Sequence, residues 1–231
     1  MLPKLEKFEE SIGISFRDKK LLLEAFTHRS YLNEHRGSKL RHNERLEFLG
    51  DAVLELAVTK FLFEKYPDKT EGDLTSYRAA LVNAVTLSDI SRKLGVNDYI
   101  LLSKGEAKDT GRARDVILAN TIEAIIGAIY QDLGFPAAEK FIAKHLYPLT
   151  EKIVAEKLWL DDKSHFQEKA QEYAGITPLY KTMEEIGPDH DKHFKVAVYL
   201  DKELVAGGEG KSKQEAEQDA ARRALEKKGW T

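Results

Sequence analysis

With 231 residues, 42% of them hydrophobic, the chain can bury one or two cores, and its lack of cysteine excludes disulfides, thiolate metal sites and thiol nucleophiles. The formal charge is −3, with 24 Lys/Arg against 24 Asp/Glu in residues 1–159 and 12 against 15 in residues 160–231, so a nucleic-acid partner would need local basic patches rather than an overall field. The cysteine-free composition, an N-terminus (MLPKLEKFEE) without a signal-peptide apolar run, and apolar runs shorter than the roughly 20 residues of a membrane span lead us to expect a cytoplasmic protein with no membrane segment.

Residues 2–34 read as short helices. Leu5, Phe8 and Ile12 recur at helical spacing, and Leu21, Leu22, Ala25 and Phe26 form a second stripe, with 14–16 linking them. His28, within THRSY, is either a ligand or proton carrier or a helix-end histidine bonded to its neighbours, and the second is the commoner fate. Residues 34–41, EHRGSKLR, read as a basic surface loop.

The next stretch, HNERLEFLGDAVL at 42–54, carries the first chemical signal. Asn43 is a natural N-cap, and Glu44, Glu47 and Asp51 at i, i+3 and i+7 share a helix face within roughly 60°. Leu46, Leu49, Val53 and Leu54 sink the same helix into a core. Like charges so placed repel and resist burial unless a cation or a proton settles the charge. The helix runs to Tyr66, before Pro67, and Glu55 on it reads as a solvated charge.

The loop at 68–72 carries Glu71, and one helix is expected over 73–94, burying Leu74, Tyr77, Leu81, Val85 and Leu87 and stopping at Gly95. Residues 98–114 read as a flexible basic loop with Lys104, Lys108, Arg112 and Arg114. Residues 116–134, VILANTIEAIIGAIYQDLG, are apolar around nearly the whole circumference, which marks a central helix. Asn120 and Glu123, at i and i+3, share a face of it, and a glutamate so placed almost never stands alone. Packed on the 43–66 helix they would meet Glu47 and Asp51. Such oxygen donors suit Mg²⁺ or Mn²⁺. The competing reading is a carboxylate network neutralised by Arg or Lys. A last helix spans 136–158, and 159–163 reads as a linker.

Beyond it the pattern changes. Ser164 and Gln167 have capping-box spacing, and Phe166, Ala170 and Tyr173 form a stripe ending at Gly175. Strands follow at 179–186, 194–200 and 203–206, and Ser212 with Glu215 opens a final helix burying Ala216, Ala220 and Leu225. The order α-β-β-β-α over 164–231 is a small α+β domain. GEGKS is no phosphate loop, because the glycine required five residues earlier is Val205, so no nucleotide cofactor is expected. Lys211 and Lys213 do flank a helix N-terminus, where phosphate is favoured. Gln167 and Gln171 face away from the apolar stripe. A di-iron carboxylate site is excluded, since no histidine has Glu three residues before it.

ERLEFLGDAVL at 44–54 resembles the signature of the ribonuclease III family of double-stranded-RNA endonucleases, residues 120–130 resemble that family's second acidic helix, and the last 70 or so residues resemble its double-stranded-RNA-binding domain. The resemblance implies an all-α nuclease domain over 1–158 followed by an α+β RNA-binding domain over 164–231, with Mg²⁺ (or Mn²⁺), a homodimer, and cleavage of both duplex strands to 5′-phosphate and 3′-hydroxyl ends. Ribosomal and other RNA precursors, messenger and transfer RNA among them, are the implied substrates. By position, Glu47, Asp51, Asn120 and Glu123 match metal-site residues, with Asp51 and Glu123 catalytic. Glu44 and Glu71 match further acids of the RNA valley, and Phe48 a residue of the dimer junction. Gln167 and Gln171, then Pro188, Asp189 and His190, match minor-groove contacts, while Lys211, Ser212 and Lys213 match phosphate contacts. The chain departs from the pattern at Asn120, usually Asp, and at Gln214, often Lys. The first removes a negative charge, which predicts weaker metal binding; the alternative function is an RNA-binding protein that cleaves weakly or not at all.

Overall fold

The computed structural model describes residues 3–156, 161–188 and 192–230, in two compact units divided between residues 159 and 160. Two long helices organise the first unit, α4 (Glu44–Lys65) and α7 (Arg112–Leu133). Leu54, Ala57, Val58 and Leu62 of α4 meet Ile122, Ile125, Ile126 and Ile129 of α7 in one core, each at most 1% exposed. Burying a side chain of this size contributes roughly 1.5–3 kcal/mol. By length and hydropathy α7 could cross a membrane, but most of it is buried within the protein: its apolar surface is spent on the core.

Shorter helices wrap this pair: α1 (Leu5–Ile12), α2 (Lys19–Ala25), α3 (Arg29–Glu34), α5 (Glu71–Val82), α6 (Ala84–Lys93), α8 (Phe135–His145) and α9 (Leu149–Ala155). Phe8 and Phe26 meet edge to face at 4.9 Å and fix α1 and α2 on the core.

The single helix expected over 73–94 is two. Asn83 takes an extended conformation, accepts from the Thr86 N–H and donates to the Ala80 carbonyl, so one residue ends α5 and caps α6. The break turns Val85 outward, 69% exposed instead of buried. The helix expected over 136–158 also breaks, ahead of Pro148, whose missing N–H suits the start of α9; residues 157 and 158 lie outside the described set. Glu71 opens α5 rather than sitting in a loop, with Thr70 and Asp73 closing a capping box. Arg114, expected in a flexible loop, is buried and donates to the Asp109 and Glu106 carbonyls.

The second unit packs α10 (Asp162–Ala174) and α11 (Lys213–Lys228) with an antiparallel sheet in the order β1 (Leu179–Ile186), β2 (His193–Leu200), β3 (Glu203–Gly210). Phe166, Ala170, Val198, Val205, Ala220 and Leu225 fill its core. Asp161, not Ser164, caps α10, accepting from the Ser164 N–H, so 161–163 belong to this helix and its cap and not to a linker. Tyr173 is exposed and stacks on Trp230. β3 runs four residues beyond the expected 206, because Gly207, Gly208 and Gly210 continue the ladder with β2. Gly208 and Gly210 let α11 come close: a Cβ on Gly208 would lie 2.1 Å from the Ala220 nitrogen and 2.4 Å from the Ala216 carbonyl oxygen.

Candidate active site

The site is built where α4 and α7 cross. A Cβ on Gly50 would lie 1.8 Å from the Glu123 carbonyl oxygen, and one on Gly127 would lie 2.1 Å from that of Leu46. Only glycine admits so close an approach of two helix backbones. Glu47 and Asp51 lie within a turn of Gly50 on α4, and Glu123 and Asn120 lie about one and two turns before Gly127 on α7, so the expected meeting of the two acidic faces occurs.

The electrostatics record that meeting. Burial, together with Asp51 and then Glu47, pushes the Glu123 carboxyl up to about 8. Burial and the Glu44 and Asp51 charges also raise Glu47, against a hydrogen bond from the Asn120 side chain that favours its ionised form. Among the described residues no Lys or Arg pairs with Glu47, Asp51 or Glu123, so the reading of a network neutralised by Arg or Lys has no support there. The cluster carries excess negative charge.

An all-oxygen donor set of this charge fits a hard divalent cation. Glu47, Asp51 and Glu123 would hold it, with the Asn120 amide oxygen as a neutral donor. Among the described residues no three Asp, Glu or His side chains already converge to ion-holding geometry.

Glu47 and Asn120 open into a cleft of about 450 Å³ that also takes in His28, Arg29, Glu44 and Glu106. Arg29 pairs with Glu44 at 3.4 Å, and His42 Nδ1 lies 3.6 Å from the same carboxylate. His28 takes the structural role: its Nδ1 accepts from the Ser30 N–H and caps α3. Asn43 stands at the N-cap of α4 but is buried and makes no side-chain cap bond; its N–H donates to the Thr27 carbonyl.

The other predicted residues distribute as follows. Glu71 is not brought to this cleft; it lines a second one with Phe63, Lys69, Leu74 and Arg78. Phe48 points to solvent, 81% exposed. Gln167 and Gln171 are exposed together on one face of α10. Ser212 caps α11 by accepting from the Glu215 N–H, and Lys211 and Lys213 flank it, exposed. Glu215 closes no capping box with Ser212; its carboxylate accepts from the Lys211 N–H. Pro188 is exposed, while Asp189 and His190 lie outside the described residues. Sequence reasoning missed Arg29 and Glu106 as cleft residues, and no local pattern could have found them: Glu106 reaches the cleft from a loop 62 positions beyond Glu44.

Residues 18–149 match the family model described as ribonuclease-III-like, and 163–228 match the double-stranded RNA binding motif. The chain belongs to the ribonuclease III family. It is 43% identical over 224 residues to "Ribonuclease 3" of a Nitratiruptor species, covering 97% of this chain and 96% of that one. Against "Ribonuclease 3" of Streptococcus mutans the identity is 46% over 222 residues, 96% of each. The solved nuclease domain of ribonuclease III from Campylobacter jejuni, whose description concerns a region involved in dimer formation, superposes with a TM-score of 0.56 at 43% identity, covering 63% of this chain and 99% of that one. This ribonuclease III is accordingly an endoribonuclease of double-stranded RNA, a helical nuclease domain followed by an RNA-binding domain. Relatives named for the activity over nearly the full length give no support to the alternative of a binding protein that does not cut.

Proposed function

We propose that this ribonuclease III cuts both strands of duplex RNA in a Mg²⁺-dependent reaction, as a homodimer, leaving 5′-phosphate and 3′-hydroxyl ends. The observation that carries the proposal is the meeting of Glu123 with Asp51 and Glu47 across the Gly50–Gly127 crossing, where the excess charge calls for a divalent cation. Bound there, Mg²⁺ (or Mn²⁺) would acidify a water and stabilise the oxygens of an in-line phosphoryl displacement. In the metal-free chain the Glu123 carboxyl is raised to about 8, so near neutral pH it holds a proton that a bound divalent cation would displace. Burial first, then the Asp51 and Glu47 charges, sets that proton affinity, and the hydrogen bond from the Asn120 amide opposes the upward shift of Glu47.

Each chain has one such cluster and a duplex has two strands, so a two-fold pair of sites fits the task. Exposed Phe48, Leu56 and Phe63 on α4 supply apolar surface for such a pairing. In the second unit, Gln167 and Gln171 on α10, the segment around Pro188, and Lys211 to Lys213 at the start of α11 would contact the duplex by shape and phosphate. We place the enzyme in the cytoplasm, acting on ribosomal, messenger and transfer RNA precursors. The test is a duplex labelled on both strands and incubated with Mg²⁺ or Mn²⁺. Cuts in both strands whose products ligate through a 5′-phosphate support the proposal; cyclic-phosphate or 5′-hydroxyl ends contradict it.

A further inference from the structure

The cleft that takes in Glu44, Glu47 and Asn120 presents an approaching phosphate with several acids and one strong cation. Among the described residues that line it, Arg29 is the one Lys or Arg. Its backbone is fixed from two sides. The His28 N–H donates to the Leu101 carbonyl at 3.1 Å, the Leu101 N–H to Phe26 at 2.8 Å, and the Asn43 N–H to Thr27 at 2.9 Å. The Ser103 N–H donates to Ser30 Oγ at 3.0 Å, which ties the start of α3 to the loop across the cleft. The side chain itself is free to move: it is 70% exposed, and its contact with Glu44 is a long, solvated 3.4 Å pair. Exposed pairs of this kind are weak and easily exchanged. A guanidinium also offers a planar fork of donors matched to a phosphate.

We infer that Arg29 is a phosphate-binding and positioning residue for the RNA strand at the active site, held by Glu44 in the free enzyme and handed to a backbone phosphate when the duplex enters. This rests on the double-stranded-RNA reading above. Glu44 has two effects in this arrangement: it repels the phosphate, and it occupies the cation that would receive it. Arg29 does no chemistry; it sets where the strand lies over Glu47 and Asn120.

The test measures the affinity of full-length protein for a labelled duplex RNA in EDTA, where cutting is suppressed, across a range of KCl. Arg29→Ala is expected to weaken binding several-fold at low salt and to reduce the slope of log K against log[KCl] by about one, and Arg29→Lys to restore the slope. With divalent ion present, Arg29→Ala should raise KM more than it lowers kcat. Glu44→Gln should tighten binding, and the gain should largely vanish in the double variant with Arg29→Ala. An Arg29→Ala protein of wild-type melting temperature with unchanged affinity and slope overturns the inference. So does a Glu44→Gln gain equal in both backgrounds, which would mean that Glu44 acts only by general repulsion. Failure of the wild type to bind the duplex at all overturns the RNA reading and the inference with it.

Discussion

Gly50 of α4 and Gly127 of α7 face each other at the helix crossing, where a Cβ on Gly127 would lie 3.1 Å from the Gly50 nitrogen and 2.1 Å from the Leu46 carbonyl oxygen. The neighbours are backbone atoms, so a methyl group there can be accommodated only by separating the helices. Gly127→Ala is expected to cost at least about 1–3 kcal/mol of stability. It should also lower cleavage beyond what the lost stability explains, because Glu123 moves away from Asp51 and Glu47. Denaturant melts and single-turnover cleavage on the same preparation check both; wild-type values for the two would show that the crossing has slack the structure does not display.

Glu123 links this geometry to pH. Its carboxyl titrates at about 8 in the folded chain against an ordinary value of 4.5, so between those limits the folded state binds more protons than the unfolded one. Stability without divalent ion should therefore be greatest below about pH 4.5 as far as this group is concerned, and fall as pH rises toward and through 8. Glu123→Gln should remove that fall, raising the metal-free melting temperature at pH 8.5 more than at pH 5. Adding Mg²⁺ should stabilise the wild type more than the variant. Parallel melting curves for the two proteins across pH would refute this assignment.

Much of this arrangement is legible in the sequence, and what is not has physical causes. The acids at i, i+3 and i+7 and the all-apolar helix with one Asn and one Glu fix which faces must meet. Helical periodicity alone does not see a cap inside an apolar pattern, so Asn83 hides the α5–α6 break. Glycines at 207, 208 and 210 look like a loop because the reason for two of them, the closeness of α11 to Gly208 and Gly210, is a tertiary fact. Ser164 mimics an N-cap while Asp161, three residues earlier, takes the role. Arg29 enters the cleft through chain folding and carries no motif of its own. Glu71 matches the family pattern by position yet lines another cleft of the same chain.

Asn120 bonds to Glu47 through its amide, a donor that aspartate lacks. Asn120→Asp therefore adds a charge and removes that bond. Half-saturating Mg²⁺ for cleavage should fall by roughly tenfold, the lower end of what changes around a metal site produce. The metal-free protein should become less stable. Isothermal titration with Mg²⁺ or Mn²⁺ reads the first effect and thermal melting the second; unchanged affinity and unchanged stability together would contradict this account of the residue.

Phe48 is 81% exposed and Phe63, on the same helix, 71%. Phe48→Glu is expected to shift the protein from dimer to monomer in sedimentation velocity and to reduce cutting of both strands. A dimer of wild-type stability in that variant would place the interface elsewhere.

Lys211 and Lys213 flank the Ser212 cap of α11. Replacing either with Ala should weaken duplex binding without changing kcat, and lower the salt slope by about one each. A slope that stays constant in filter binding would remove them from the phosphate contacts.

The most direct test of the central claim compares wild type and Glu123→Gln on one duplex RNA, measuring single-turnover cleavage across a Mg²⁺ titration and affinity in EDTA. The account predicts cuts in both strands by the wild type, a loss of at least about 100-fold in the variant at saturating Mg²⁺, and near-equal affinities. Cleavage by Glu123→Gln at the wild-type rate and Mg²⁺ dependence would contradict it.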